Sequence, residues 1–242
     1  MRSIDVCLSP ELLHLYDIKG KIVVVIDILR ATSCMTTALA HGIRSIKPVA
    51  SLEECKTLKE LGLICAAERD GKKAEGFDIG NSPFSYMDPS LRGKEVAMTT
   101  TNGTLAISLS KSAKQVIIGS FLNLEALSEY LRKQEADVLL LCSGWKGKVN
   151  LEDTVFAGAV VENLKEYFDP FCDAPLAAQH LFNMAKNDLE TFLQNSSHVK
   201  RLKKLNIEED ISFCLTSNKY HIIPVLEGDY LVEMDYSKVP IL

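Results

Sequence analysis

The stretch that most constrains this chain is Ile22 to Ala40, IVVVIDILRATSCMTTALA. Five consecutive β-branched residues, Ile22 to Ile26, are too short for a buried helix and fit a strand covered on both faces, as in a parallel sheet flanked by helices. Asp27 stands where that strand leaves the sheet, and Arg30 follows three residues on. Thr32 and Ser33 then open a segment in which Met35, Ala38 and Leu39 recur at helical spacing. Open α/β sheets bind ligands beyond the carboxyl ends of their strands, and helix N-termini suit anions. Asp27 and Thr32 serve equally well as turn caps, with Arg30 solvated or paired with Asp27, so other stretches must decide.

The strand-to-helix pattern repeats. Strands are expected at Ile4–Leu8, Ser45–Val49, Leu63–Ala67, Glu95–Met98, Gln115–Ile118 and Asp137–Leu141, with helices between them. Ser51 with Glu54 reads as a capping box for a helix over Leu52–Leu61. Residues 70–93 hold Gly and Pro without a sustained period, a loop long enough to be an active-site cover. Helices are expected over Glu152–Tyr167, Ala174–Leu193, Ser197–Leu205 and Ile207–Leu215. Two strands then close the chain through a Glu227-Gly228-Asp229 turn. The pattern predicts one α/β domain over residues 1–242: a three-layer α/β/α fold with a mainly parallel sheet, a helical C-terminal part and a closing hairpin.

Composition excludes several classes. A net charge of −5 and the lack of a concentrated basic face argue against a nucleic-acid partner. The one dense basic run, Lys200, Arg201, Lys203 and Lys204, reads as a solvated helix face beside Glu208–Asp210. Seven cysteines, an odd number with no close pairs, argue against a disulfide framework and a zinc knuckle. An Asp and a Pro interrupt what would be a signal peptide's apolar core in MRSIDVCLSP, and no apolar run is long enough to span a bilayer. A reducing cytoplasm with no membrane partner is expected, and homo-oligomerisation is left open.

Polar residues recur where strands end: Asp27 and Arg30, Glu68 and Arg69, Thr99 to Thr104 (TTTNGT), Gly119-Ser120, and Cys142-Ser143-Gly144. In a parallel sheet such ends share an edge. TTTNGT offers hydroxyls and a close-approach glycine with helix N–H groups behind it, but lacks the glycine spacing and lysine of a Walker loop. A Ser/Thr turn would explain any one of these threonines. The acids Asp27, Glu68, Asp78, Glu152 and Asp153 have no histidines at zinc spacing. Magnesium fits them better, because it binds through one or two carboxylates, water and substrate phosphate without a tight motif. Cys142 lacks the arginine of a cysteine-phosphatase loop, since position 148 is Lys. Asp27 lacks the second aspartate of the haloacid dehalogenases, since position 29 is Leu. His198 is read as an ordinary helical histidine rather than an acid or base.

In order along the chain, VVVIDILRATS, AAERDG, GFDIGNSP, TTTNGT, Gly119-Ser120 with Asn123, CSG, and Glu152-Asp153 followed by Ala157-Gly158 resemble the 2-phosphosulfolactate phosphatase family. The likeness runs from about Ile22 to Gly158 and resumes in SSHVKRLKKLNIEEDISFC. Val199 and Asn206 stand where the family often has glycine. The resemblance implies a magnesium-dependent hydrolase acting on a small anionic phosphate ester, (2R)-2-phospho-3-sulfolactate, in coenzyme M synthesis. It implies catalytic roles for Asp27, Arg30 and Glu68. Substrate contacts are expected from Arg69, Asn81, Thr100, Thr101, Asn102, Thr104, Ser120 and Ser143, with Arg69 facing a second anion. Metal contacts are expected from Asp27, Asp78, Glu152 and Asp153. Competing readings are a non-catalytic binder of a phosphorylated or sulfonated acid, and a phosphotransferase. Asp27→Asn and Arg30→Ala are expected to lose activity with the fold retained.

Overall fold

The computed structural model describes residues 2–236. Its strands are β1 (Ser3–Cys7), β2 (Ile22–Ile26), β3 (Ser45–Pro48), β4 (Ile64–Arg69), β5 (Lys72–Lys73), β6 (Glu95–Thr99), β7 (Gln115–Gly119), β8 (Val138–Cys142), β9 (Asp169–Pro170), β10 (Pro224–Glu227) and β11 (Tyr230–Glu233). They form one sheet in the order β5-β4-β6-β3-β11-β10-β7-β2-β8-β1-β9. The helices are α1 (Ala31–Ala40), α2 (Leu52–Glu60), α3 (Gly103–Leu109), α4 (Leu124–Arg132), α5 (Leu151–Leu164), α6 (Asp173–Ala185), α7 (Leu189–Leu193), α8 (Ser197–Lys203) and α9 (Glu208–Cys214).

Strand β2 organises the layers. Ile22, Val24 and Ile26 pack with Leu127, Phe156 and Val160 of α4 and α5, while Val23 and Val25 pack with Met35, Ala38 and Ile107 of α1 and α3. Alternate side chains point to opposite faces of a strand, so a continuous apolar run feeds two cores at once. This is the expected three-layer α/β/α arrangement. Helices α5 and α6 pack so closely that a Cβ on Gly158 would lie 1.9 Å from the Ala178 carbonyl oxygen.

The β10–β11 hairpin turns at Gly228-Asp229, with Gly228 at φ +59°. It sits in the middle of the sheet, joined to β7 by Val225 opposite Ile117 and to β3 by Leu231 opposite Ile46. Both joints are antiparallel, so the parallel block β4-β6-β3 nominally runs against the block β7-β2-β8-β1. Sheet twist of roughly 20–25° per neighbouring pair accumulates over the four steps from β2 to β3 to about 80–100°. Residues that follow β2, β4, β6 and β8 line a common crevice. Within each block the ends are flush: Ile26 is opposite both Gly119 and Cys142, and Ala67 is opposite Thr99.

Two local expectations change. The long helix over 174–193 divides into α6 and α7 because Asp188 accepts the Thr191 N–H at 3.0 Å and starts a new helix. Residues 70–93, expected as an ordered loop, also contain the short strand β5 and pack around buried Tyr86, whose hydroxyl donates to the Gly80 carbonyl at 2.9 Å. Among the described residues no helix is long and apolar enough to cross a membrane. All seven cysteines are free.

Candidate active site

Asp27 leaves β2 directly into α1, and its backbone carbonyl accepts from both the N–H and the hydroxyl of Thr32 at 2.9 Å. One carboxylate oxygen accepts from Ala31 N–H at 3.3 Å. Asp27 itself therefore takes up two of the first N–H groups of α1, those of Ala31 and Thr32. The other oxygen, Oδ2, lies against α3: a Cβ on Gly103 would sit 2.9 Å from it. Burial pushes the Asp27 carboxyl up to about 6, with nearby Glu68 and Glu152 adding to the rise and His198 opposing it.

The first turn of α5 supplies two further acids with different duties. Asp153 is buried and spends its two oxygens on the N–H groups of Ile28, at 2.9 Å, and Gly144, at 3.1 Å. It ties the β2 exit to the β8 exit. Burial, then the charges of Glu152 and Asp27, hold its pKa well above the usual carboxylate range. Glu152 accepts from His198 Nδ1 at 2.6 Å through Oε1, while its buried Oε2 has no hydrogen-bond partner. A carboxylate on Nδ1 fixes the imidazole orientation and leaves Nε2 as the working nitrogen. Glu68, at the end of β4, accepts the Gly71 N–H and the Thr101 hydroxyl.

Asp27, Arg30, Glu68, Asn81, Thr101, Asn102, Trp145, His198 and Arg201 line one crevice. Arg30 is buried, paired with Asp210 of α9, and donates to the Gly71 carbonyl at 2.8 Å. Asp210 also accepts from Ser82 at 2.9 Å, so one carboxylate links the crevice floor to the long loop and to α9. Removing Arg30 would strand a buried charge. The expectation that Arg30→Ala keeps the fold intact is therefore replaced: that variant tests stability as well as activity. Asn81 presents a buried side-chain oxygen without a partner.

Other expected contacts are placed elsewhere. Asp78 is exposed, paired with Lys59 at 2.7 Å and bonded to Cys65 N–H at 2.9 Å, which removes it from the metal set. Arg69 donates to the Glu68 carbonyl at 2.6 Å and to the Thr99 hydroxyl at 3.2 Å, and does not line the crevice. Thr100 and Thr104 bond to each other's backbone and side chain across the turn before α3. Ser120 closes a capping box with Asn123, and its hydroxyl contacts Thr36. Ser143 is buried beside the site with its hydroxyl unpartnered. Cys142 is fully buried, and burial lifts its thiol well above the ordinary range, as suits a structural thiol.

Among the described residues no group of three or more His, Cys, Asp or Glu side chains forms a metal cage. A magnesium site needs fewer protein ligands than that. The unpartnered Glu152 Oε2 is a buried acceptor suited to it, and the charge of Glu152 is among those that raise the Asp27 carboxyl.

Sheet, crevice and charges together define an α/β protein equipped to hold a small polyanion beside a carboxylate-supported histidine. The sequence profile described as 2-phosphosulpholactate phosphatase matches residues 7–229. A Thermotoga petrophila protein named "Probable 2-phosphosulfolactate phosphatase" is 40% identical over 233 residues, covering 96% of this chain and 99% of its own. Proteins of the same name from Caldanaerobacter subterraneus (40% over 217 residues, covering 88% and 90%) and Caldicellulosiruptor saccharolyticus (41% over 207, covering 82% and 86%) are similar too. The chain belongs to the 2-phosphosulfolactate phosphatase family.

Proposed function

We propose that this chain hydrolyses (2R)-2-phospho-3-sulfolactate to 3-sulfolactate and phosphate with magnesium, the step that belongs to coenzyme M synthesis. The observation that carries the reading is His198, which lines the crevice with Asp27, Glu68 and two arginines and is held from behind by buried Glu152 at 2.6 Å. A binding protein has no need of an oriented proton carrier there.

Asp27 and Glu152 Oε2 are the groups that would hold magnesium, which neutralises charge on the phosphoryl oxygens. Arg30, pinned by Asp210, keeps unused N–H donors for those oxygens, and Thr101 and Asn102 border the same space. Phosphoryl transfer needs mainly positioning and charge neutralisation. The phosphorus–oxygen bond on the lactate side breaks as water supplies the new one; one proton of that water stays on the released phosphate and the other restores the one His198 gives up. His198 gives a proton from Nε2 to the departing oxygen, with Glu152 on Nδ1 holding the ring in place. Asp153 holds the two loops in place without touching the substrate.

Phosphate release from 2-phosphosulfolactate by the purified protein tests this, measured across magnesium concentrations and after chelation. Release that requires magnesium and falls in Glu152→Gln is expected. Binding of the ester without release at any magnesium concentration defeats the proposal, and transfer of phosphate to added alcohols in preference to water would make the protein a phosphotransferase.

A further inference from the structure

Arg201 sits in the basic run that reads as solvated, yet its guanidinium turns into the crevice. Its carbon lies 4.4 Å from the Trp145 ring centroid, and its Nη2 is buried without a hydrogen-bond partner. Nη1 makes only a long 3.4 Å contact with Ser197. Arg30, by contrast, is already neutralised by Asp210. Trp145 is itself fixed: Gly144 adopts φ +59°, and Trp145 N–H donates to the Lys148 carbonyl at 2.8 Å while Lys148 donates back at 3.0 Å. A Cβ on Gly144 would lie 2.4 Å from the Lys148 carbonyl oxygen, so the tight turn that presents the indole requires glycine. The indole's other neighbours are His198, 5.8 Å away between ring centroids, and Lys146, whose exposed Nζ lies 5.1 Å from the ring centroid.

A buried guanidinium nitrogen with no acceptor is costly to fold unless a ligand supplies one. Stacking on an indole holds the guanidinium plane and leaves its edge for a fork of N–H donors. Resting on the proposed function above, we infer that Arg201, supported by Trp145, binds the sulfonate of the substrate and sets the preference for a sulfonated ester. Arg201 lies three residues after His198 on α8, one turn along the same face. The substrate has a matching layout: the oxygen that leaves phosphorus and the sulfonate sulfur are on adjacent carbons. The carboxylate shares its carbon with the phosphoester and falls nearer the phosphoryl-binding residues. A sulfonate is also the less strongly hydrated anion, better suited to a wall of Trp145, Leu202 and Leu205.

The test compares wild type, Arg201→Gln, Arg201→Lys and the exposed neighbour variant Lys200→Ala, using 2-phosphosulfolactate and its sulfonate-free analogue 2-phospholactate. Arg201→Gln should raise KM for the sulfonated ester roughly 10- to 100-fold with kcat little changed, from loss of a charge-assisted fork. KM for 2-phospholactate should stay put, Arg201→Lys should recover part of the loss, and Lys200→Ala should behave as wild type. Equal KM changes for both esters would mean that Arg201 reads phosphate or carboxylate, and overturn the inference; so would no change for either. Calorimetric binding of 3-sulfolactate separates the two proposals. If wild type releases no phosphate but binds 3-sulfolactate and loses it in Arg201→Gln, the hydrolase reading fails and the clamp stands. If wild type does not bind 3-sulfolactate at all, the clamp fails.

Discussion

Asp27→Asn should inactivate the protein and make it more stable, and the gain should depend on pH. The Asp27 carboxyl is raised from 3.8 to about 6, chiefly because it is buried. Each unit corresponds to roughly 1.4 kcal/mol of preference for the protonated form. With a folded-state value above the unfolded one, wild type keeps its full stability below about pH 4, loses it as pH rises through 6, and at pH 8 has given up about 3 kcal/mol. Asparagine has nothing to ionise and can still accept from Ala31 through its Oδ1. For a chain of this size, 1 kcal/mol moves Tm by about 2–4 °C, so the variant should melt about 6–12 °C above wild type at pH 8 in chelator. The assay is urea unfolding of both proteins at pH 4 and pH 8. Any constant cost of the amide cancels in the difference between the two pH values. An Asn-minus-Asp stability difference that is the same at both would show that Asp27 ionises without penalty, and would remove the argument that its charge is held there for function rather than for the fold.

Three more outcomes follow from named contacts. Asp153→Ala leaves the buried N–H groups of Ile28 and Gly144 unpaired and should cost about 2–5 kcal/mol in urea unfolding, while Asp153→Asn, which keeps one acceptor, should cost less. His198→Gln should lower kcat for 2-phosphosulfolactate about 10²- to 10⁴-fold with Tm little changed, since its proton role is lost but its place against Trp145 is filled. Gly158→Ala drives a methyl to 1.9 Å from the Ala178 carbonyl oxygen, and should destabilise by about 3 kcal/mol or prevent soluble expression.

What the sequence disclosed, and what it hid, follows from the range of each interaction. Ile22–Ile26 is readable as a doubly buried strand because five β-branched residues fit few other environments. Ser51 is readable as a cap because its bond to Glu54 N–H, at 3.0 Å, spans three residues. The split at Asp188 carried the same kind of local signal, a carboxylate three residues before Thr191, masked by an apolar period that continues through it. The hairpin's seat in mid-sheet had no such signal. It depends on single pairings, Val225 with Ile117 and Leu231 with Ile46, between segments remote in the chain.

The crevice divides along the same line. Asp27 and Glu68 announce themselves by following strands, but Asp78 looks equally eligible until Lys59 is found 2.7 Å away. Arg30 and Asp210 lie 180 residues apart, and nothing near Asp210 in its acidic run distinguishes it from the exposed Glu208 and Glu209. For α8 there was a usable pattern. His198, Arg201, Leu202 and Leu205 recur at three and four residues, a face that mixes apolar and functional groups, whereas Lys200, Lys203 and Lys204 fall on the exposed side. Treating the four cations of the run as one solvated face averages over that periodicity. Charge density locates a basic helix; only its phase relative to the buried stripe tells which of its cations is turned inward, and here that phase selects Arg201.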